Sequence, residues 1–168
     1  DIDTSKVEIR TIDSLVSTLV KENNLLPNKH LVFEWSSVKS SLDFWEDLLA
    51  GELTYFSPEF LDQEYRNVIL YNNVQDLKSY IRTSRTGRGK PVSRRQRSEI
   101  WELIERFNEA RRKKNIYYRD ELFNILTEYL SKNEQRVFEY CIVDELQDFS
   151  NVELRLVRNL VEERPNDL

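Results

Sequence analysis

The chain has 168 residues, of which 39% are hydrophobic, and a formal net charge of −5 at pH 7. This length allows one core, with room for a second small lobe. It contains no apolar run long enough to cross a bilayer and no secretory signal, so we expect a soluble, cytoplasmic protein. Its one cysteine, Cys141, excludes an intrachain disulfide and a cysteine-rich zinc site.

The first part of the chain is predicted to be mostly helical. Residues 7–11 (VEIRT) predict a short strand, and residues 12–20 carry hydrophobic side chains at helical spacing. Residues 31–35 (LVFEW) predict a strand or a buried turn. Residues 42–49 form a hydrophobic helical face that we expect to end at Gly51, because glycine favours the left-handed conformation that follows many helices.

Further helices are predicted in the middle of the chain. Ser57 is the predicted N-cap of a helix whose first residue is Pro58. Residues 74–81 (VQDLKSYI) predict another helix, and two longer helices are predicted from residue 100 to about residue 114 and over residues 122–130.

Residues 82–97 (RTSRTGRGKPVSRRQR), called the basic segment below, are predicted to form a loop and contain no acidic residue. Its seven cations are Arg82, Arg85, Arg88, Lys90, Arg94, Arg95 and Arg97. Like charges repel one another unless an anion lies nearby, so we favour phosphate binding over an ordinary solvated surface for this segment.

The last third of the chain joins a strand signal to a group of acids. Residues 137–144 (VFEYCIVD) are a largely continuous apolar run, typical of a strand buried on both faces of a parallel sheet. Asp144, Glu145 and Asp148 lie at its carboxyl end, where ligands bind in open α/β sheets.

A capping box predicts the helix that follows the acids, with Ser150 as N-cap and Glu153 three residues later. The buried stripe of this helix is predicted at Leu154, Val157, Leu160 and Val161. The predicted core around the acids consists of Val137, Ile142, Val143, Leu154 and Val157, and Cys141 is expected inside the strand.

Two interpretations of the acids remain open from the residues themselves. An aspartate beside a nucleotide can bind Mg²⁺, and a neighbouring glutamate can deprotonate the water that attacks a γ-phosphate. Alternatively, the acids are solvated turn residues before a helix N-terminus, where negative charge is favourable.

Two segments resemble motifs of UvrD/Rep-type superfamily 1 helicases. Residues 142–161 (IVDELQDFSNVELRLVRNLV) resemble motif II, the Walker B segment, in which D-E-x-Q-D lies between an apolar strand and a helix. Residues 7–20 (VEIRTIDSLVSTLV) resemble an earlier motif, T-[FI]-H-S, that contacts single-stranded DNA. The resemblance implies DNA contacts by Thr11 and Ser14, whereas Asp13 stands where the family usually has histidine.

The resemblance extends between these motifs, because residues 64–70 and 80–105 are similar to the intervening segment of one UvrD-like subgroup. It implies a predominantly helical α/β fold: part of a RecA-like P-loop NTPase motor domain with parallel strands, interrupted by a helical accessory insertion. On this basis we expect motor-domain pieces at residues 1–26 and 115–168, with the insertion at residues 27–114.

The resemblance also implies the chemistry, which is ATP-dependent 3′-to-5′ translocation on DNA with ATP and Mg²⁺ as cofactors. Asp144 and Glu145 would be the catalytic and metal-binding residues, and Gln147 and Asp148 would couple the bound nucleotide to DNA binding. The implied partners are single-stranded or partly duplex DNA and the rest of the helicase chain; we expect a monomer without membrane contact.

The family's phosphate-binding loop, G-x-x-x-x-G-K-[ST], is not found in the sequence. Residues 86–91 (TGRGKP) fail the pattern, because Ser84 replaces its first glycine and Pro91 its final Ser/Thr. In the family the loop precedes the T-[FI]-H-S motif. Since the sequence starts at Asp1 and has no methionine, we expect it to be part of a longer chain, and inactive towards ATP alone.

Two functions of other classes remain as alternatives. One is a non-catalytic nucleic-acid-binding or protein-interaction module with decayed motor motifs. The other is a metal-dependent nuclease that uses Asp144, Glu145 and Asp148.

Overall fold

A computed structural model describes residues 7–33, 40–86 and 91–164 and is mostly helical. The α-helices in these ranges are α1 (Ile12–Glu22), α2 (Ser41–Leu49), α3 (Pro58–Glu64), α4 (Leu77–Arg82), α5 (Arg94–Lys113), α6 (Arg119–Lys132) and α7 (Asn151–Leu160). A π-helical segment, Tyr65–Leu70, continues α3, and a 3-10 turn, Leu146–Asp148, precedes α7. None of the helices in the described ranges is both long and apolar enough to cross a membrane.

Local sequence signals correctly predict several helix ends. Ser57 caps α3 by accepting a hydrogen bond from the backbone N–H of Phe60 at 3.3 Å, and Pro58 is the first helical residue. Gly51, just after α2, has φ +83°, the left-handed conformation predicted for it. The helix α5 begins at Arg94, earlier than predicted, because Ser93 and Gln96 form a capping box at its start. The loop predicted for the basic segment is therefore wrong at Arg94, Arg95 and Arg97, which are helical.

The fold contains a small parallel sheet in which β1 (Leu31–Val32) pairs with β2 (Ile116–Tyr117). The first of these strands confirms the prediction of a strand at residue 31; residues 34 and 35 lie outside the described residues. The strand predicted at residues 7–11 is absent, because this described stretch is irregular and exposed.

The strand predicted at residues 137–144 does not form either. The backbone N–H groups of Val137 and Phe138 both donate to the carbonyl of Leu160, at 2.9 and 3.0 Å, rather than to a neighbouring strand. Ile142 is 98% exposed and Cys141 is exposed, so neither lies in a core. A parallel strand needs adjacent strands for its backbone hydrogen bonds, and this described segment has none beside it.

The buried face of α7 also differs from the prediction. Val152, Leu156 and Leu160 are buried, at a spacing of four residues, whereas Leu154 is exposed. The predicted core around the acids was therefore wrong: Ile142 and Leu154 are exposed, and Val137, Val143 and Val157 are only partly buried. Among the described residues, α7 instead turns Val152, Leu156 and Leu160 towards α1 and α6.

The buried hydrophobic side chains form two clusters. A central cluster lies between α2, α3, the π-helical segment, α4 and α5, and a terminal cluster lies between α1, α6 and α7. Strand β2 and the residues around β1 contribute to both clusters, because successive residues of an extended chain point to opposite faces. Ile116 and Tyr118 belong to the central cluster and Tyr117 to the terminal one, just as Phe33 and Val32 divide between them.

A buried ion pair crosses the boundary between the clusters. The fully buried guanidinium of Arg111 donates to Glu121 at 2.6 Å, to the carbonyl of Ile116 at 2.9 Å and to the hydroxyl of Tyr65 at 2.7 Å. Burial raises the pKa of Tyr65 to about 12, so its hydroxyl stays neutral. This network joins α5, β2, α6 and the π-helical segment.

Candidate functional site

The acids predicted as catalytic lie on an exposed turn before α7, residues 144–148, which we call the acid turn. Asp144 accepts a hydrogen bond from the backbone N–H of Glu145 at 3.0 Å, and Gln147 donates to the Glu145 carboxylate. The backbone N–H of Asp148 donates to the carbonyl of Glu145 at 2.9 Å, which closes the 3-10 turn. Glu145 has φ +53°, a left-handed conformation that is costly for a residue other than glycine. The turn thus presents its carboxylates to solvent on a locally strained backbone.

The carboxylates of this turn suit Mg²⁺ that is bound together with a nucleotide better than a metal site made of three protein side chains. Within the described ranges, no three histidine, cysteine or acidic side chains come together as a metal-binding group, so the geometry gives no support to the three-acid nuclease. Magnesium bound together with a nucleotide needs one or two carboxylates, with phosphates and water as its other ligands. Asp144 and Glu145, exposed and adjacent, fit that requirement.

The helix behind the acid turn begins with the predicted capping box. The Ser150 hydroxyl accepts from the backbone N–H of Glu153 at 3.4 Å, and the Glu153 carboxylate accepts from the backbone N–H of Ser150 at 2.7 Å. Burial opposes ionisation of Glu153, but hydrogen bonds from Arg119 and Ser150 lower its pKa below the usual value. Glu153 is therefore a carboxylate at neutral pH.

Arg119, the first residue of α6, was not singled out by the sequence analysis. Its guanidinium donates to Glu153 and to Asp13, both at 2.6 Å. Asp13 is 106 positions away in the chain, so no local pattern signals the contact. Although burial acts to lower the pKa of Arg119, the hydrogen bonds that it donates to Glu153 and Asp13 raise that pKa above its ordinary value.

The helix α7 also contacts Tyr71, the residue that follows the π-helical segment. Asn151 donates to the hydroxyl of Tyr71, and Arg155 donates to the Tyr71 carbonyl at 2.8 Å. Asn124 of α6 donates to the neighbouring carbonyl of Leu70 at 3.1 Å. The helix that follows the acids thus packs in the terminal cluster and is also bonded to Tyr71, next to the π-helical segment.

The two residues predicted to contact single-stranded DNA lie at the start of α1. Thr11 is the N-cap, and its hydroxyl accepts from the backbone N–H of Ser14 at 3.3 Å. Both residues are exposed. The Arg119 bridge reaches Asp13, between them.

The cations of the basic segment differ in their surroundings. Arg85 is 6% exposed and bonds the buried Glu64 at 2.6 and 2.8 Å. Arg97 donates to the carbonyl of Thr83 at 2.8 Å, beyond the end of α4. Both side chains hold the segment in place, which the sequence could not show because Glu64 lies far from it in the chain.

The remaining described cations of the segment face solvent. Arg82, Arg94 and Arg95 are exposed, and Arg95 pairs with Glu99 at 3.0 Å on the same helix. Arg88 and Lys90 lie outside the described residues. Arg82 and Arg94 are therefore the described cations of the segment best placed to meet an external anion.

A family model described as the UvrD/REP helicase N-terminal domain matches residues 2–168, which include the acid turn, the basic segment and the start of α1. Comparisons with curated proteins and with solved structures give no match.

Proposed function

Because the chain belongs to the UvrD/REP helicase N-terminal domain family, we propose that it supplies part of an ATP-dependent motor that moves 3′ to 5′ along DNA. The observation that carries the proposal is the D-E-L-Q-D turn at residues 144–148, placed directly before a capped helix. The proposed motor pieces are residues 1–26 and 115–168, and the proposed accessory insertion is residues 27–114. The division of the core into a terminal and a central cluster supports these boundaries.

In this proposal the acid turn is the Walker B part of the ATP site. Asp144 would hold Mg²⁺ through a carboxylate oxygen, with Glu145 beside it. When bound, Mg²⁺ neutralises charge on the β- and γ-phosphates. Glu145 orients the attacking water and accepts its proton. Gln147 and Asp148 lie between Glu145 and α7, so a movement of the acid turn on nucleotide binding would reach α7 through them.

The exposed apolar segment before the acids supports a RecA-like fold for the complete motor. In residues 137–143, the large side chains of Tyr140 and Ile142, two positions apart, are 71% and 98% exposed. Exposed hydrophobic groups that lie so close together often mark an interaction surface. We propose that this segment pairs with strands of the rest of the motor domain, which would cover those side chains and place the acids at a strand end.

The first prediction concerns ATP hydrolysis by the 168 residues alone. We expect no Mg²⁺-dependent turnover, because the backbone N–H cradle and the lysine that hold the phosphates are not among them. The full-length parent protein is expected to hydrolyse ATP, faster with single-stranded DNA present. The measurement is phosphate release by both proteins with and without DNA.

Two outcomes would contradict this assignment. Turnover by the 168-residue chain that Glu145→Gln abolishes would show that it holds a complete site. A full-length protein that binds DNA but never hydrolyses ATP would instead favour the non-catalytic binding module.

The second prediction concerns the basic segment and DNA phosphates. Replacing Arg82 and Arg94 together with glutamine should flatten the dependence of log affinity on log salt by roughly 1 to 2 units, because each phosphate contact contributes about 0.9. Preference among DNA sequences should stay the same, since phosphate contacts carry no base information. The measurement is fluorescence anisotropy with a labelled, partly duplex oligonucleotide over a series of salt concentrations.

A matched control removes two cations from another exposed surface. Lys113 and Lys132 are exposed and each pairs with a glutamate one turn earlier, so the Lys113→Gln/Lys132→Gln variant has the same net charge. It should keep the parent salt dependence. Equal flattening in both double variants would assign the effect to net charge and exclude a dedicated phosphate site.

A further inference from the structure

We propose that Arg119 is a positioning residue that couples the DNA-contacting turn of α1 to the acid turn before α7. This inference rests on the proposed function, because it needs a motor in which DNA binding stimulates ATP hydrolysis. It adds to that function a specific mechanical link through a side chain outside the recognised motifs.

The guanidinium of Arg119 donates to two carboxylates at once and lies near a third, because its Nη1 is 3.6 Å from Oδ1 of Asp120. Nε donates to Oδ1 of Asp13 at 2.6 Å, and Nη2 donates to Oε1 of Glu153 at 2.6 Å. Its carbon lies 4.4 Å from the ring centre of Phe123, so an aromatic face also fixes the plane of the group. Because the side chain is only 22% exposed, this bridge is better ordered than an ordinary surface ion pair.

On the α7 side, the bridge continues to Ser150, which closely follows the acid turn. Oε1 of Glu153 accepts from Arg119, while Oε2 accepts from the backbone N–H and the hydroxyl of Ser150, at 2.7 and 2.8 Å. Ser150 is two residues after Asp148 in the chain. A shift of the acid turn therefore moves the cap, and the cap is held to Arg119 through one carboxylate.

On the α1 side, the bridge ends within the T-I-D-S turn. Asp13 lies between Thr11 and Ser14, the two proposed DNA contacts, and Thr11 is bonded to the backbone of Ser14. Aspartate accepts from Arg119 as an anion, whereas histidine, the usual residue of the family here, offers one neutral acceptor nitrogen and none when it is protonated. Asp13 therefore gives Arg119 a stronger partner than histidine would.

These contacts link Asp13 to Ser150, and the backbone of Phe149 joins Ser150 to the acid turn. Each end of the bridge lies at the N-terminal end of a helix. A contact that only added stability would lower the activities of a variant together, or leave them unchanged. A coupling contact would selectively lower the stimulation of ATP hydrolysis by DNA, because that stimulation reports how strongly DNA binding changes the ATP site.

The test uses the full-length parent protein and its Arg119→Gln variant. ATP turnover is measured without DNA and with saturating single-stranded DNA, and DNA affinity is measured separately. We expect basal turnover and DNA affinity within about twofold of the parent values, and stimulation by DNA lowered at least about fivefold, the lower end for a coupling between sites. Lys132→Gln, on the exposed far end of the same helix, is the charge-matched control and should keep full stimulation.

A second variant guards against a failure of Arg119→Gln to fold. Asp13→Asn removes the more exposed end of the bridge, since the Asp13 side chain is 42% exposed, and should lower stimulation in the same direction. Asp13→Glu keeps the carboxylate and should restore stimulation towards the parent value.

The outcomes separate the coupling from the proposed function. Normal stimulation in Arg119→Gln or Asp13→Asn would overturn the coupling and leave the motor intact. Basal and stimulated turnover falling in equal proportion would assign Arg119 a purely structural role and also overturn it. A folded wild-type parent that DNA does not stimulate would overturn the proposed function, and the coupling with it.

Discussion

Glu145→Gln in the full-length parent protein is expected to slow ATP hydrolysis by at least about 100-fold, the lower end for losing a general base. Glutamine has nearly the same size as glutamate, and its carbonyl oxygen can still accept the hydrogen bond from Gln147. The turn should therefore keep its conformation while it loses the basic carboxylate. ATP affinity should change little, and DNA unwinding should fall together with turnover.

Asp144→Asn should behave differently from Glu145→Gln. Its amide oxygen can still accept from the backbone N–H of Glu145, so the turn stays closed, but the negative charge offered to Mg²⁺ is lost. We expect weaker metal-dependent ATP binding as well as slower turnover. Because both side chains are exposed, neither variant should shift the melting curve.

Glu139→Gln is the matched control, because it removes an exposed acid from the same segment without touching the turn. ATP affinity, turnover and thermal melting are measured for all three variants. A Glu145→Gln protein that unwinds DNA at the parent rate would show that the base lies elsewhere.

The helices were predictable because their signals are local. The caps at Ser57 and Ser150 need only residues within one turn, and the hydrophobic spacing at residues 12–20 defines the buried face of α1 by itself. The capping box at Ser93 shows that the start of α5 was predictable from the same signal. The hydrophobic pattern by itself placed the start of this helix at residue 100.

The strands depend on partners, and that explains the errors there. An apolar run such as residues 137–144 is compatible with a buried strand, but only neighbouring strands can satisfy its backbone. In the described part of the chain, its start instead bonds the carbonyl of Leu160 at the end of α7. The two residues of β1 pair because β2 lies beside them, although the partners are Leu31 and Ile116, far apart in the chain.

The residues of the candidate site also divide into those that local sequence predicts and those that depend on distant contacts. The acids at residues 144–148 are contiguous, so a five-residue motif was sufficient to select them. Arg119 and Tyr71 depend on contacts across 106 and 80 positions, and neither has a composition that separates it from ordinary surface residues. Arg85 was chosen for its charge, but the fold places it against Glu64, which no neighbouring residue predicted.

The largest stability effect is expected at the buried ion pair between the two clusters. Glu121→Leu should lower the free energy of unfolding by about 3 to 5 kcal/mol, because it leaves the charge of Arg111 buried without a carboxylate. The remaining partners of Arg111, among them Tyr65 and Asn108, are neutral and cannot replace that charge. The reverse change, Arg111→Met, should cost less, since Glu121 keeps the exposed Arg112 as a partner at 2.7 Å.

The matched control is Lys113→Ala on the same helix, where the ion pair with Glu109 has a comparable separation of 2.7 Å but both side chains face solvent. Exposed pairs of this kind contribute little to stability, so its denaturation midpoint should match that of the parent chain. Urea denaturation followed by circular dichroism gives the free energies of all three variants. If Glu121→Leu were no less stable than Lys113→Ala, the pair would not hold α6 to α5. If Glu121→Leu lowers the free energy of unfolding more than Arg111→Met does, the main cause is the guanidinium that is left buried without a carboxylate, and not the lost contact itself.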